Sequence, residues 1–317
     1  MNVKRIGALI VTYNPEIDKL ILNIKAVLPQ VEKLVVVDNG SINYKSLVEL
    51  MNDFNIELIG LEKNLGIAAA QNIGMSFFFN KRFDWVMMLD QDSVVPLNTI
   101  NEMENSPKFQ DLSTGILTMQ YCDPNWTKEQ QKHELKSVNA PDDLRLRVIS
   151  SGNLVRVKVW NSVGGFDEWM FIDQVDFDFD AKVTLLGYKI WKLNNLVMQH
   201  EVGKVINGKF TLLKLLKLPP EKLLYSHTPI REYYINRNLI VYSKRYQNYP
   251  KFDRFKLNII DNILSTRKIL VYEKPRLKKF LFAWKGIVAG IKYNPDKDVN
   301  FLKFKNSLIK NKFKKIN

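Results

Sequence analysis

Three observations in the 317-residue sequence predict an α/β protein built on a mostly parallel sheet, with a basic helical extension behind it. Short β-rich apolar runs end in polar turn residues, helical apolar spacing fills the stretches between them, and the surplus positive charge is confined to the C-terminal part. A content of 46% hydrophobic and 25% charged residues suffices to bury a sizeable core and suits one large domain with an appendage.

Residues 6–11 (IGALIV) and 33–37 (KLVVV) lack polar alternation, as strands buried on both faces of a parallel sheet do. Between them Ile17, Leu20, Ile21, Ile24, Val27 and Leu28 keep a helical spacing, which completes a β-α-β unit. The alternation repeats with a helix over 45–54, a strand over 56–62, a second crossover helix over 67–79 and a fourth strand over 85–90. Further on, TGILTMQYC resembles a strand and 123–145 a polar loop region. RVISSGNLVRVKVW reads as a strand pair or a strand running into a helix, and 173–187 as a helix stopped by Gly187. From 208 onward helices dominate, with KFTLLKLLKL an amphipathic candidate before Pro219 and Pro220.

The formal net charge of +14 is unevenly placed. Residues 243–317 hold 20 Lys and Arg against 5 Asp and Glu, leaving 27 against 28 in the remainder, so a neutral body carries a cationic tail. Such a tail favours an anionic partner, a membrane surface or nucleic acid, unless it is merely a solvated basic face. The single Cys122 excludes an internal disulfide and argues against a cysteine metal site and for a cytosolic working surface. The apolar run in MNVKRIGALIVTYNP is too short for a signal peptide or a membrane span, and no other segment reaches spanning length.

Parallel strands joined by right-handed crossovers present ligands with their carboxyl ends, and Thr12, Asp38 and Asp90 each fall at such an end. No GxGxxG follows the first strand and no GxxxxGK[ST] occurs anywhere, which weakens dinucleotide and P-loop readings. VDNGS at 37–41 suits both a ribose or base contact and ordinary turn chemistry. In LDQDS at 89–93, Asp90 and Asp92 fit a Mg²⁺ or Mn²⁺ site on a nucleotide substrate, or a capped turn. Asp173, together with Asp176, Asp178 and Asp180 of VDFDFD, crowds the helical segment at 173–187, where spacing makes Asp173 and Asp176, and Asp176 and Asp180, neighbours. Carboxylates near a helix N-terminus are favoured by its dipole, and one in an aromatic setting could gain the raised pKa of a general base. His200, one of three histidines, is either structural or an imidazole ligand beside Asp92.

In their order, VTYN at 11–14, VDNGS, NLGIAAAQNIG at 64–74, LDQDS, SGNLV at 151–155, GGFDE at 164–168, VDFDFDAKVTLLGYKI and HEVG at 200–203 resemble glycosyltransferase family 2. These are inverting, nucleotide-sugar-dependent enzymes of the GT-A, Rossmann-like fold. The resemblance covers about residues 4–205 and divides the chain into a catalytic domain over 1–205 and a helical region over 206–317 for acceptor, membrane-surface or oligomer contact. DQDS, FIDQVDFDF, HEVG and YYINRN at 233–238 look most like bacterial rhamnosyltransferases that use dTDP-rhamnose.

The resemblance implies roles. Thr12, Asn14 and Asp38 line the nucleotide pocket, with Asn64 and Gly66 near the base or diphosphate and Asp90 and Gln91 on the donor. Asp92, joined by His200, holds Mg²⁺ or Mn²⁺. Aligning Lys182 and Gly187 with the family's usual Arg and Gly puts Asp176 on the catalytic aspartate, although Val175 and Lys182 replace the usual Glu and Arg. Asp173, Asp178 and Arg237 are second-rank base or acceptor candidates. The implied activity is transfer of L-rhamnose onto a glycan acceptor, with polyprenyl diphosphate as its carrier, at the inner face of the cell membrane. A homo-oligomer is compatible with this and nucleic acid is not expected as a partner. The rivals are a UDP-hexose or furanose donor, a nucleic-acid binder suggested by the pI near 9.5, and a non-catalytic lectin-like protein.

Overall fold

The computed structural model describes residues 4–138, 140–201, 226–255, 260, 263, 266, 269–270 and 274–314. The first part follows the alternation in the sequence: β1 (Ile6–Thr12), α1 (Ile17–Val27), β2 (Lys33–Asp38), α2 (Tyr44–Asp53), β3 (Glu57–Gly60), α3 (Ile67–Asn80) and β4 (Trp85–Asp90). All seven residues of β1 are buried, the outcome expected of a central strand covered on both faces.

Next come α4 (Thr99–Asn105), α5 (Pro107–Gln110), β5 (Thr114–Cys122), α6 (Lys128–Glu134), β6 (Asp143–Arg145), β7 (Asn153–Arg156), α7 (Val157–Ser162), α8 (Val175–Leu185) and β8 (Lys189–Gln199). The stretch 123–145 is therefore not a loop throughout. Thr127 and Gln130 form a reciprocal capping box that starts α6 in an otherwise polar sequence, and β6 pairs with β8. The amphipathic candidate at 209–218 lies outside the described residues.

The strands form one eight-stranded sheet in the order β3-β2-β1-β4-β7-β5-β8-β6. The pairs β2–β3, β1–β2 and β1–β4 are parallel, whereas β7 runs antiparallel to both β4 and β5. Strand order reverses between β1 and β4, which opens a crevice at their carboxyl ends. Helix α3 settles close onto the sheet by exchanging bulk for space. A Cβ on Gly7 would overlap the Phe78 ring, and a Cβ on Gly74 would overlap the Leu9 side chain.

The chain forms two compact units. One contains Met1–Phe171, Val175–Glu201 and Val299–Asn317, and the other Ile172–Gln174 and Val202–Asp298. The division departs from the expected boundary near 205 in that α11 (Val299–Lys314) counts with the sheet unit and residues 172–174 count with the helical one. Within the helical unit α9 (Pro229–Tyr246) packs on α10 (Arg276–Lys292), where Gly286 and Gly290 admit the backbone of Tyr233 and the side chain of Ile240. Arg245, 3% exposed, donates to Asp298 Oδ2 (2.6 Å) and to Tyr293 Oη (2.8 Å), and Tyr293 donates to Asp298 in turn (2.6 Å).

Helix α8 buries a charge pair, Asp178 Oδ2 to Lys182 Nζ at 2.8 Å, on side chains 0% and 8% exposed. Removing one partner of such a pair strands the other charge. Lys182→Met is expected to destabilise the protein by about 3–5 kcal/mol in urea denaturation, and Asp178→Leu with Lys182→Met by much less.

Candidate active site

The register of three parallel strands sets the floor of the crevice. Thr12 stands opposite Asp38 and Val11 opposite Asp90. Thr12 and Asp38 are both fully buried and face each other, Thr12 Oγ1 donating to Asp38 Oδ1 at 2.9 Å. Asp38 also takes bonds from Ser41 N (2.8 Å) and the Ser41 hydroxyl, so its carboxylate organises the wall of the crevice from below. The turn-chemistry reading of VDNGS thus has its bonds, with Asp38 accepting from Ser41 three residues on.

The loops above this floor are tied by side chains. Asn14, at φ 48°, donates its N–H to Ser41 Oγ (2.7 Å) and accepts Ile42 N through Oδ1 (2.8 Å). Tyr13 N donates to Gln91 Oε1 (2.8 Å), which joins the ends of β1 and β4 and leaves the Tyr13 ring half-exposed. Asn39 accepts Leu65 N (2.8 Å) and donates to Asn64 Oδ1 (3.1 Å), which itself takes Gly66 N (2.9 Å). Gly66 has φ 90°, and a Cβ there would lie 2.6 Å from Phe171 O, the same carbonyl that receives Ile67 N at 2.8 Å.

Asp90, Asp92 and His200 come together although 108 residues separate the last two in sequence. A bridge of paired bonds between Val94 and Gln199 brings the end of β8 to the loop after β4. His200 Nδ1 is 2.8 Å from Ser93 Oγ and 3.5 Å from Asp92 Oδ1, and its Nε2 faces Asp90 Oδ2 at 4.0 Å. Ser93 in turn touches Ser151 Oγ (2.7 Å), which accepts Asp90 N (3.0 Å), and Asn23 caps Asp90 O (2.7 Å). Burial on its own favours the neutral ring, but Asp92, Asp90 and Asp123 outweigh it, so the His200 pKa lies above its ordinary value.

The acidic run of α8 separates into four environments. Asp173 is forked by Arg231 through three contacts of 3.1–3.3 Å. Asp178 is in the buried pair with Lys182. Asp180 is 1% exposed and accepts Val148 N at 2.6 Å; burial raises its pKa well above the usual carboxylate range. Asp176 is half-buried in the first helical turn, where its Oδ1 accepts Phe177 N (2.9 Å). It borders a narrow gap, too tight for a water molecule, with Met88, Ser150, Asn153, Phe166, Phe179 and Asp180 beside β4 and β7. The carboxyl that burial raises is therefore Asp180, below the helix terminus. Arg237 is 6% exposed, lies 4.8 Å from the Tyr234 ring and orients Asn238 (2.8 Å). Asn238 donates to Ile172 O (2.7 Å) and Asp173 O (2.9 Å).

Asp92 and His200 are the residues here whose chemistry suits a hard divalent cation. Asp92 Oδ1 is buried and accepts no hydrogen bond. His200 meets Ser93 through Nδ1 and faces Asp90 through Nε2. Among the described residues no three carboxylate, imidazole or thiol groups already close a metal cage, and a phosphate-bridging cation asks only one or two protein ligands. Sequence reasoning missed Ser93, Ser151 and Asn23, which hold these groups. Ser93 and Ser151 stand inside the quoted LDQDS and SGNLV stretches, and Asn23 is a buried polar residue on the apolar face of α1.

The α/β sheet has counterparts among solved structures. The chain aligns with GalNAc-T7 with UDP, GalNAc and Mn²⁺ (TM-score 0.56, 14% identity, 88% of this chain and 54% of that one) and so spans about half of that structure's length. It also aligns with S. aureus TarS 1–349 in complex with UDP-GlcNAc (TM-score 0.51, 14% identity, 97% and 81%). The likeness is one of fold, and the fold is that of GT-A glycosyltransferases. Residues 8–157 match the model of Glycosyl transferase family 2. Over 307 residues the chain is 28% identical to dTDP-rhamnosyl transferase RfbF of Shigella flexneri, covering 91% of this chain and 98% of that protein. Residues 8–157 are thus similar to glycosyl transferase family 2, and nearly the whole chain is similar to a rhamnosyltransferase.

Asp180 yields a pH test. Its folded pKa lies above the unfolded one, so it costs stability as pH rises from about 4 through the raised value and adds no further change above it. Asp180→Asn keeps an acceptor for Val148 N. It is expected to melt higher than the wild type at pH 7 and to lose this advantage at about pH 4, as thermal unfolding across that range would record.

Proposed function

We propose that the protein transfers L-rhamnose from dTDP-rhamnose to a hydroxyl of a glycan acceptor, with inversion at the anomeric carbon. The observation that carries this reading is the convergence of Asp90, Asp92 and His200 at the switch point of a sheet whose residues 8–157 match glycosyl transferase family 2. The likeness to a dTDP-rhamnosyl transferase over 91% of the chain supports this donor sugar.

In this reading Thr12, Asn14, Asp38, Asn64 and Gly66 shape the nucleotide pocket, with Asp38 acting from beneath by fixing Ser41. Asp90 and Gln91 contact the donor. Asp92 and His200 hold Mg²⁺ or Mn²⁺, which when bound neutralises charge on the departing diphosphate. Asp176 takes the proton of the acceptor hydroxyl as that oxygen bonds to the anomeric carbon, and the bond from that carbon to the diphosphate oxygen breaks on the opposite face. Asp173 and Asp178 are weaker candidates for the base because Arg231 and Lys182 occupy their oxygens. The basic residues of 243–317 suit an anionic membrane surface, where an acceptor on a polyprenyl diphosphate carrier would be met. No helix among the described residues is long and apolar enough to cross a membrane, so the contact is peripheral in this reading.

Thermal-shift measurement against dTDP-rhamnose, UDP-glucose, UDP-galactose and a furanose donor, with and without Mn²⁺, tests donor and metal together. Metal-dependent stabilisation by dTDP-rhamnose alone is expected, and stabilisation by a UDP-sugar alone would overturn the donor assignment. Asp176→Asn should lower turnover at least ~100-fold while leaving the donor-induced shift intact. Asp92→Ala should lose the metal-dependent part of the shift more completely than Asp90→Ala.

A further inference from the structure

Helix α10 has two faces of different character. Ala283, Gly286, Ile287 and Gly290 are buried. Leu277, Leu281, Trp284, Val288 and Ile291 are exposed by 74%, 57%, 44%, 36% and 46%. These five recur at steps of four, three, four and three, so they form one continuous apolar stripe along the helix. Lys278, Lys285 and Lys292, all exposed, recur every seven residues and form a parallel row on one flank of the stripe. The 17 residues of α10 include five Lys and Arg and no acidic residue, and only Lys279 is withdrawn, bonded to Ser226 Oγ at 2.8 Å.

We propose that this face of α10 lies along an anionic lipid surface, with the stripe at the acyl boundary and the lysine row among the headgroups. The inference rests on the membrane-facing part of the function proposed above and assigns that contact to one helix face. Charge complementarity selects the occupant. A second copy of α10 seated on the stripe would bring two uncompensated lysine rows together, whereas anionic headgroups neutralise them. An amphipathic helix with Leu, Val, Ile and a central Trp on one side and lysines beside them suits the interface plane, and its charge count rules out insertion across the bilayer.

The test uses the full chain and sedimentation with phosphatidylcholine vesicles, with and without phosphatidylglycerol. Binding is expected to require phosphatidylglycerol and to weaken with salt. Leu281→Glu with Val288→Glu should bind at least ~10-fold more weakly, and Lys278→Gln, Lys285→Gln and Lys292→Gln together should lose on the order of five-fold per lysine at low salt. An unchanged melting temperature verifies folding of each variant, and the lysine variant, confined to exposed positions, keeps the test open if the double glutamate variant does not fold. The blue shift of tryptophan emission on vesicle addition should disappear in Trp284→Phe. Equal binding by the wild type and both multiple variants would overturn the assignment to α10 and leave membrane attachment standing. Absence of wild-type binding to anionic vesicles would overturn both. A wild-type dimer that the double glutamate variant converts to monomer, in sedimentation velocity, would make the stripe a self-interface and overturn the proposal.

Discussion

The lateral register of β2, β1 and β4 is the constraint on which the site depends. Once Thr12 is locked opposite Asp38 and Val11 opposite Asp90, groups from three distant parts of the chain reach the crevice at nearly one level. Slippage by one residue would turn every side chain to the other face of the sheet. Burial on both faces resists that slippage, because each of these strands places Val, Leu, Ile or Met against a helix layer on either side. The exchange of space between Gly7 and Phe78, and between Gly74 and Leu9, then fixes the height of α3 above the sheet.

What the backbone ladder cannot hold is held by side chains bonding to backbone. Asn14, Asn39, Asn64 and Gln91 use amides to join loops that share no strand pairing. Ser93 and Ser151 play the same part for His200 and Asp90, and both are buried, so each hydroxyl that loses its partner would leave an unsatisfied group behind. The loops of the crevice are thus shaped by the sheet unit before any ligand arrives, which lowers the ordering that binding would require.

The first 90 residues were legible because fully buried parallel strands leave unbroken apolar runs and amphipathic crossovers leave a helical period. Helix α6 was not, since its start is a capping box in a polar stretch with no apolar face to betray it. Lys182 stands four residues after Asp178, so that pair could be foreseen from helical spacing, but Arg231 lies 58 residues from Asp173 and nothing local announces it. The same holds for His200. Its place beside Asp92 depends on the bridge between Val94 and Gln199, a register that only the folded sheet determines. The ordered motifs named the candidate residues; the differing environments of four neighbouring aspartates came from burial and partners.

The meeting of Gly66 and Phe171 bears on how such a chain can vary through descent. Gly66 has no room for a Cβ because the Phe171 carbonyl sits against it, and Phe171 is itself a non-glycine residue at φ 65°. Neither position can drift alone: a larger residue at 66 would demand that the backbone at 171 withdraw, and that withdrawal would take the acceptor from Ile67 N at the start of α3. In a lineage of such genes the two loops would be inherited as one character, changing together or not at all.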